Sequence, residues 1–401
     1  MSSINRRFSI ALCVAAVAIS VWPTTGHAHD ASAWGGLFRS QDGGATWFQA
    51  STGKVIGGVL AVAVDPADST HLLLGTDSGL LGTHNGGRDW DLRASDTLVG
   101  AVLAVAFDAG GHRMLAASGS GLAQSEDGVV WRSTVIPVGA SPARDLVAGA
   151  TPDTFFLIGW HGLFRTDDGG ATWSELRPGP AAQTVTSLRV DAALPDRLVA
   201  VVGGEVWLSQ DGGRSWMPRQ AGLPIGEVQM LALDARPAGG QTFWAGGRSQ
   251  VFRTDDGGLT WRPIGRALPE GTTEIRGIAI GGDDDARSIV LSTDRGLFAS
   301  PDNGASWRLL GDNLPGHIEA GRLVRDARQQ ATLYVGFSVT PYAELWRNAA
   351  VGGSSLARLG SSELAGASAF LVLIGLGAVL ALRWLAHRSP GSTRLMGDTA
   401  R

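Results

Sequence analysis

Seven tryptophans constrain this 401-residue chain more than anything else in it: Trp47, Trp90, Trp131, Trp173, Trp216, Trp261 and Trp307 follow one another at intervals of 41 to 46 residues. A fixed period of this length is the mark of a repeat architecture, in which one supersecondary unit recurs. Each tryptophan closes a segment of the form Ser/Thr-x-Asp-x-Gly-x-Thr/Ser-Trp. Five copies are regular, beginning at Ser40, Thr166, Ser209, Thr254 and Ser300 and carrying Asp42, Asp168, Asp211, Asp256 and Asp302. Two are degenerate: Asn85 replaces the aspartate before Trp90, and the copy holding Asp127 before Trp131 is one residue shorter.

The motif has a physical logic. A chain reversing between two strands needs its turn N–H groups satisfied, and an Asp carboxylate accepts them. Glycine supplies the positive φ of a tight reversal, and the tryptophan then buries a large ring at the start of the next strand. Around each turn the same order of short apolar runs returns. One unit reads Val59–Val64, then Leu72–Leu74, Leu80–Thr83 and Trp90–Leu92. Four short strands per period of about 43 residues is the size of a propeller blade. Inner strands are expected near Val59, Val102, Asp145, Val185, Val228, Ile275 and Ala320. The chain opens with half a blade, Gly36 to Gln49, and ends with expected complementary strands near Arg322–Val324, Leu333–Phe337 and Glu344–Arg347. The fold class is therefore all-β: a seven-bladed β-propeller closed by pairing of its two ends, across residues 29–347.

Over residues 35–347 the chain resembles the broad family of Asp-box (BNR) propellers, on the seven motif copies just given. The resemblance implies the fold. Members include sialidases, xyloglucan hydrolases, sortilin-type receptors and photosystem II assembly-factor-like proteins, so several functions are open.

Comparison among the repeats separates scaffold from candidate site. Arg39, Arg165, Arg253 and Arg347 share one repeat position in this reading, and so do Phe38, Phe164, Trp207, Phe252, Phe298 and Trp346. Both sets are assigned to blade packing, as are the motif aspartates. The loops between second and third strands differ from blade to blade. They carry Asp77, Trp160, His161, Glu205, Arg248, Asp294, Arg295 and Tyr342, while loops entering the inner strands add Lys54, Arg144, Glu274, His317 and Glu319. Any one of these reads as an ordinary solvated loop residue. As a set on the face opposite the Asp-box turns they form the expected binding surface, since loops on a rigid scaffold carry binding groups.

The two ends of the chain address it to a membrane. Arg6-Arg7, the apolar stretch Phe8–Val21 and the small residues around Ala28 read as a signal peptide over residues 1–28. Residues 348–363, rich in Gly, Ser and Ala, read as a flexible linker. Leu364 to Leu382 is uncharged and long enough to span a bilayer, and a transmembrane helix is expected over 364–386. Arg383, Arg388 and Arg394 place the tail, 387–401, in the cytoplasm. The expected location is the bacterial inner membrane, single-pass, with the propeller facing the periplasm or cell exterior.

The remaining chemistry is sparse. The single cysteine, Cys13, lies in the signal segment, so thiol catalysis and cysteine metal sites are excluded from the mature chain. His29 at a new N-terminus and the run Asp283-Asp284-Asp285 are weighed as metal sites and set aside in favour of a disordered terminus and a solvated loop. No cofactor is expected. A net charge of −4 argues against nucleic acid. Glu205, Glu274 and Glu319 could supply the carboxylate pair of a glycosidase. A sialidase would need a tyrosine nucleophile, and the two tyrosines, Tyr334 and Tyr342, both fall in the last blade. No catalytic set is recognisable. The expected function is a membrane-anchored, non-catalytic binding module for another membrane or extracytoplasmic protein, of the assembly-factor kind. The alternative is a glycan-binding or glycoside-hydrolysing protein.

Overall fold

The computed structural model describes residues 35–51, 56–119, 121–180, 183–233, 241–272, 274–281, 288–316 and 318–350. The expected signal peptide, membrane span and tail, with Cys13, His29, Lys54, Asp283–Asp285 and His317, lie outside the described residues. Among the described residues no helix is long and apolar enough to cross a membrane.

Seven four-stranded antiparallel sheets form the blades. Blade 1 consists of Val59–Val64, Leu72–Thr76, Gly79–Thr83 and Asp91–Arg93, paired in chain order. The inner strands of blades 2 to 7 are Val102–Phe107, Ala143–Ala148, Val185–Val190, Met230–Leu233, Ile275–Gly281 and Glu319–Arg325. Second strands such as Leu72–Thr76, Phe155–Gly159 and Leu198–Val202 are buried at every position. They read as continuous apolar runs because each sheet is covered on both faces by its neighbours. Outer strands such as Asp91–Arg93 and Ser174–Leu176 are largely exposed, and they are accordingly polar.

The hydrophobic core is divided among the blade interfaces. Leu73, Leu80, Val105 and Phe107 pack together between blades 1 and 2. Phe156, Ile158, Leu188 and Leu198 do the same between blades 3 and 4, and Leu37, Val59, Leu72 and Tyr334 between blades 7 and 1. Each buried Leu or Phe contributes on the order of 1.5–3 kcal/mol. The blades approach closely enough that a Cβ on Gly75 would lie 2.5 Å from the Val102 carbonyl oxygen of the next blade.

Blade 7 is completed by both ends of the chain. Gly36–Ser40 pairs with Leu333–Ser338, from Gly36 opposite Phe337 to Ser40 opposite Leu333, and Phe48–Gln49 forms the outer edge. The expected last strand, Glu344–Arg347, is instead part of helix α1, Tyr342–Ala350. The reason is occupancy: Gly36–Ser40 already fills the third-strand position of the blade, so the chain leaves the sheet after Ser338. Trp346 and Arg347 therefore do not share the repeat position assigned to them above. The other members of those sets do lie on third strands, and Arg39 and Arg165 each donate to the carbonyl of a turn glycine in the next blade, Gly86 at 3.1 Å and Gly212 at 3.0 Å.

The turns before the tryptophans are closed by their side chains. Asp168 accepts the backbone N–H of Thr172 at 2.8 Å, the Thr172 hydroxyl at 2.5 Å and the Thr166 hydroxyl at 2.7 Å. These bonds hold its pKa down at about 2. In blade 1 Asn85 does the same work with an amide, its Oδ1 accepting Asp89 N–H at 3.0 Å while its Nδ2 donates to the Asp89 carboxylate at 3.0 Å.

Candidate functional site

Strand register decides which loops share a face. The start of an inner strand lies opposite the end of the second strand (Val59 opposite Thr76), and Thr76 lies opposite Gly79 at the start of the third. The loops entering the inner strands and those between second and third strands therefore open on one face, and the tryptophan-bearing turns on the other. The inner strands surround a channel of about 1720 Å³ that runs between the two.

At the mouth, six of the seven inner strands carry a break in register near their start. Breaks fall between Val59 and Ala61, Val102 and Ala104, Ala143 and Asp145, Val185 and Ser187, Ile275 and Gly277, and Ala320 and Leu323. A bulge leaves one residue unpaired and re-aims its side chain. The residues so placed are Leu60, Leu103, Arg144, Thr186, Arg276 and, in a two-residue break, Gly321 with Arg322; Gln229 stands at the equivalent place in blade 5. All of them line the channel. One backbone device, repeated round the ring, thus presents leucine from two blades, arginine from three and threonine from one, with glutamine at the equivalent place in blade 5.

On the blade 6 and 7 side of the mouth, Arg276 is clamped between two carboxylates. Its Nη1 donates to Glu319 at 2.7 Å and its Nη2 to Glu274 at 2.8 Å. The guanidinium carbon stands 5.2 Å from the centre of the Tyr342 ring. Burial lowers the Arg276 pKa, but the bonds to Glu319 and Glu274 outweigh it and the net shift is upward. Tyr342 is buried; its hydroxyl donates to the Val59 carbonyl at 2.6 Å and its N–H to Glu319 at 2.8 Å. Helix α1 is thereby pinned across the junction of blades 7 and 1, and Trp346 from it also lines the channel. Burial pushes the Tyr342 phenol far above its ordinary range.

The blade 3 and 4 side is cationic. The Arg144 guanidinium lies over the Trp160 ring at 4.4 Å, and its Nε is buried with no hydrogen-bond partner. Arg322 reaches across from blade 7 to pair with Asp145 and to donate to the Thr186 carbonyl at 3.3 Å. Deeper in the channel Arg189 donates to the Leu188 carbonyl at 2.8 Å and to the Met230 sulfur at 3.1 Å. Burial brings the pKa values of Arg189 and Arg322 down to about 10, with the Arg144 charge adding to the effect on Arg322.

Of the residues expected from sequence, Arg144, Trp160, Glu274, Glu319 and Tyr342 gather at the mouth through the contacts above. His161 is exposed beside Trp160, ring centres 6.5 Å apart. Asp77, Glu205, Arg248, Asp294 and Arg295 sit on the same face, Arg248 and Arg295 exposed and the rest half-buried. Asp77 has its pKa raised by burial, and Arg295 donates to the Glu270 carbonyl at 3.1 Å. Tyr342 offers no free group, since burial encloses it and its hydroxyl is already bonded. Arg276, Arg322 and Arg189 were missed. For Arg276 a signal existed: the residue after Val59, Val102, Ala143, Val185, Val228 and Ile275 is Leu, Leu, Arg, Thr, Gln and Arg, a repeat position that varies while the residue before it is always apolar.

Exposed apolar side chains surround the mouth. Val99, Val138 and Ile225, in loops entering inner strands, are 80%, 99% and 82% exposed. Among the described residues no group of three or more His, Cys, Asp or Glu side chains converges as a metal site would require. The arrangement offers guanidinium groups, an aromatic face and an apolar rim, which are the elements of recognition.

No protein-family model matches the chain. A xyloglucanase of a Paenibacillus species is 27% identical over 185 residues, covering 44% of this chain, which thus spans only 17% of that relative's length. Among solved structures, one of YCF48 bound to D1 peptide superposes with a TM-score of 0.52 at 18% identity, covering 71% of this chain and 94% of the other. The xyloglucanase of Xanthomonas campestris superposes with a TM-score of 0.54 at 19% identity, covering 70% and 51%. At these identities the likeness shows the propeller fold.

Proposed function

We propose that this protein is a non-catalytic binding propeller of the Asp-box kind that captures another membrane or extracytoplasmic protein on the face holding the channel mouth. The observation that carries the reading is the ring of bulge residues. The scaffold around it repeats, yet Leu60, Leu103, Arg144, Thr186, Gln229, Arg276 and Arg322 differ in charge and size, and the rim around them is apolar. Such a set suits a protein partner, because hot spots are rich in aromatic and arginine anchors and the contacts around them exclude water. The likeness to a propeller solved with a bound peptide supports the same direction. Export by residues 1–28 and anchoring by 364–386 belong to this proposal, and would hold the propeller outside the inner membrane with the tail 387–401 in the cytoplasm. The test is a pull-down of the tagged full chain from gently solubilised native membranes. A stoichiometric protein partner should be captured, and lost when Trp160, His161 and Arg248 are replaced together by alanine. Capture that survives the triple replacement in a folded protein removes this face from consideration.

One observation favours a glycan reading: Glu274 and Glu319 are joined through Arg276, whose guanidinium stands beside the Tyr342 ring. Retaining and inverting glycosidases work with carboxylate pairs, and a xyloglucanase is among the relatives. Against catalysis, both carboxylates already accept hydrogen bonds from one guanidinium, whereas a general acid must hold a proton to donate. Release of reducing sugar from xyloglucan, abolished by Glu274→Gln, would establish this second reading over the first.

A further inference from the structure

We propose that the stacked rings of His71 and His84 form an acid-sensitive joint at the turn end of blade 1: neutral, they hold the turn 84–90 over the seam between blades 1 and 2, and charged, they release it.

The two imidazoles lie face to face, ring centres 4.0 Å apart and planes 20° from parallel. His71 is the inner ring, only 7% exposed. Its Nδ1 stands 3.0 Å from the Asp65 carboxylate, and the Phe107 ring of blade 2 meets it edge-on at 4.8 Å. A Cβ on Gly128, in the turn of blade 2, would lie 3.2 Å from its Nε2. His84 is the outer ring, exposed to solvent. The two degenerate copies of the turn motif meet here, since His84 precedes Asn85 in one and Gly128 belongs to the shortened other.

The repeat shows how unusual the joint is. The residue whose carbonyl accepts the N–H following the inner strand is His71, Arg113, Thr154, Arg197 and Thr332 in blades 1, 2, 3, 4 and 7. Arginine keeps its charge and threonine has none, so of these five only His71 changes charge near neutral pH. The tie between turn and loop is itself general: Gly86 N–H donates to the Thr70 carbonyl, Gly169 to Asp153 and Gly212 to Asp196, each at 2.9 Å. Blade 1 thus has the common tie with a titrating stack beside it.

Two imidazolium rings at this separation repel. Asp65, bonded to His71, and Asp68, whose ionisation both histidines favour, face the pair from its own blade. From blade 2, Phe107 and Gly128 are uncharged, and the acids beside them, Asp108 and Asp127, bind N–H groups of their own turns. From blade 7, Arg39 donates to the Gly86 carbonyl, while Asp326 and Arg328 hold the loop through Ser69 and the Ala67 carbonyl. Burial lowers the His71 pKa, the bond to Asp65 opposes this, and the charge of His84 adds to the lowering, so the net shift is downward. A histidine shifted this way stabilises the fold above its ordinary pKa of about 6.5, and the contribution is lost as pH falls below it. The joint therefore yields at milder acidity than the turn aspartates. The inference does not rest on capture of a partner.

The test is hydrogen–deuterium exchange of the full chain, followed by mass spectrometry at about pH 7.5 and about pH 5.5 and corrected for the intrinsic pH dependence of exchange. Exchange across 84–90 should rise roughly threefold or more at the lower pH, while the equivalent turns 166–173 and 209–216 stay unchanged. His84→Gln, which installs the residue standing at that motif position as Gln41 and Gln210, should abolish the rise. Equal behaviour of the three turns, or a rise that survives in His84→Gln, overturns the proposal.

Discussion

Asp42, Asp168, Asp211, Asp256 and Asp302 make the same three bonds at the turn end of their blades: to the hydroxyl two residues before, and to the N–H and hydroxyl four residues after. At the mouth end the backbone repeats just as faithfully, with a bulge in blade after blade, but the side chain it presents runs from leucine to arginine. The same scaffold thus keeps its side chains constant where they satisfy the chain's own N–H groups and changes them where they face the channel. Repetition of chemistry marks what the fold needs; repetition of backbone with divergent chemistry marks what a ligand can read.

The comparison can be broken most severely at the closure, which both ends depend on. Removal of residues 29–50 takes away two strands of blade 7 together with buried Leu37, Phe38 and Trp47. Its melting temperature should fall by more than about 10 °C, if the ring forms at all. A truncated chain that melts like the full one would mean that the pairing of Gly36–Ser40 with Leu333–Ser338 does not close the ring.

Acid should loosen the turn end before the mouth. The turn aspartates have folded-state pKa values below the ordinary 3.8, at about 2 for Asp168, Asp256 and Asp302, because hydrogen bonds favour the charged form. Their contribution is therefore fully present above about pH 4 and lost as pH falls through about 2. Melting followed by circular dichroism should show a decline in stability between pH 4 and pH 2, of several degrees in total. Stability that is flat across that window would show that these bonds contribute nothing net.

The smallest effects separate the two ends best. Asp168→Ala should lower the melting temperature by about 2–4 °C and leave partner binding untouched. Tyr342→Phe sharpens the contrast, since this residue stands at the mouth but its hydroxyl is bonded to the Val59 carbonyl. It should cost about 1 kcal/mol of stability without changing capture. Loss of binding in Tyr342→Phe would mean that helix α1 is part of the recognition surface.

The blade count, the turns and most strand positions were legible because each is written in a repeat unit, and seven copies average out local accidents. The inner strands expected at Val59, Val102, Val185 and Ile275 begin at those residues. The reading of Glu344–Arg347 as a strand failed for a non-local reason. Trp346 and Arg347 fit the repeat by type, but the position they would fill is taken by residues some 300 places earlier in the chain. The candidate site was legible in part. Arg144 and Trp160 stood out as departures from the repeat, and their stacking confirms that they share one place. Arg322 did not, because only the break in register of its strand carries it to Asp145, a residue 177 positions away.

The amino-acid sequence by itself determined the ring: a period of about 43 residues, turn-closing aspartates and alternating apolar runs permit little but four-stranded blades, and those are local, repeated interactions. Only the tertiary structure decided which charges meet. Among the described residues Arg276 is paired with two carboxylates, Glu274 and Glu319, while Arg144 and Arg189 are paired with none. Closing the ring sets side chains from different blades around one channel, and pairing across it depends on distances that no spacing along the chain records.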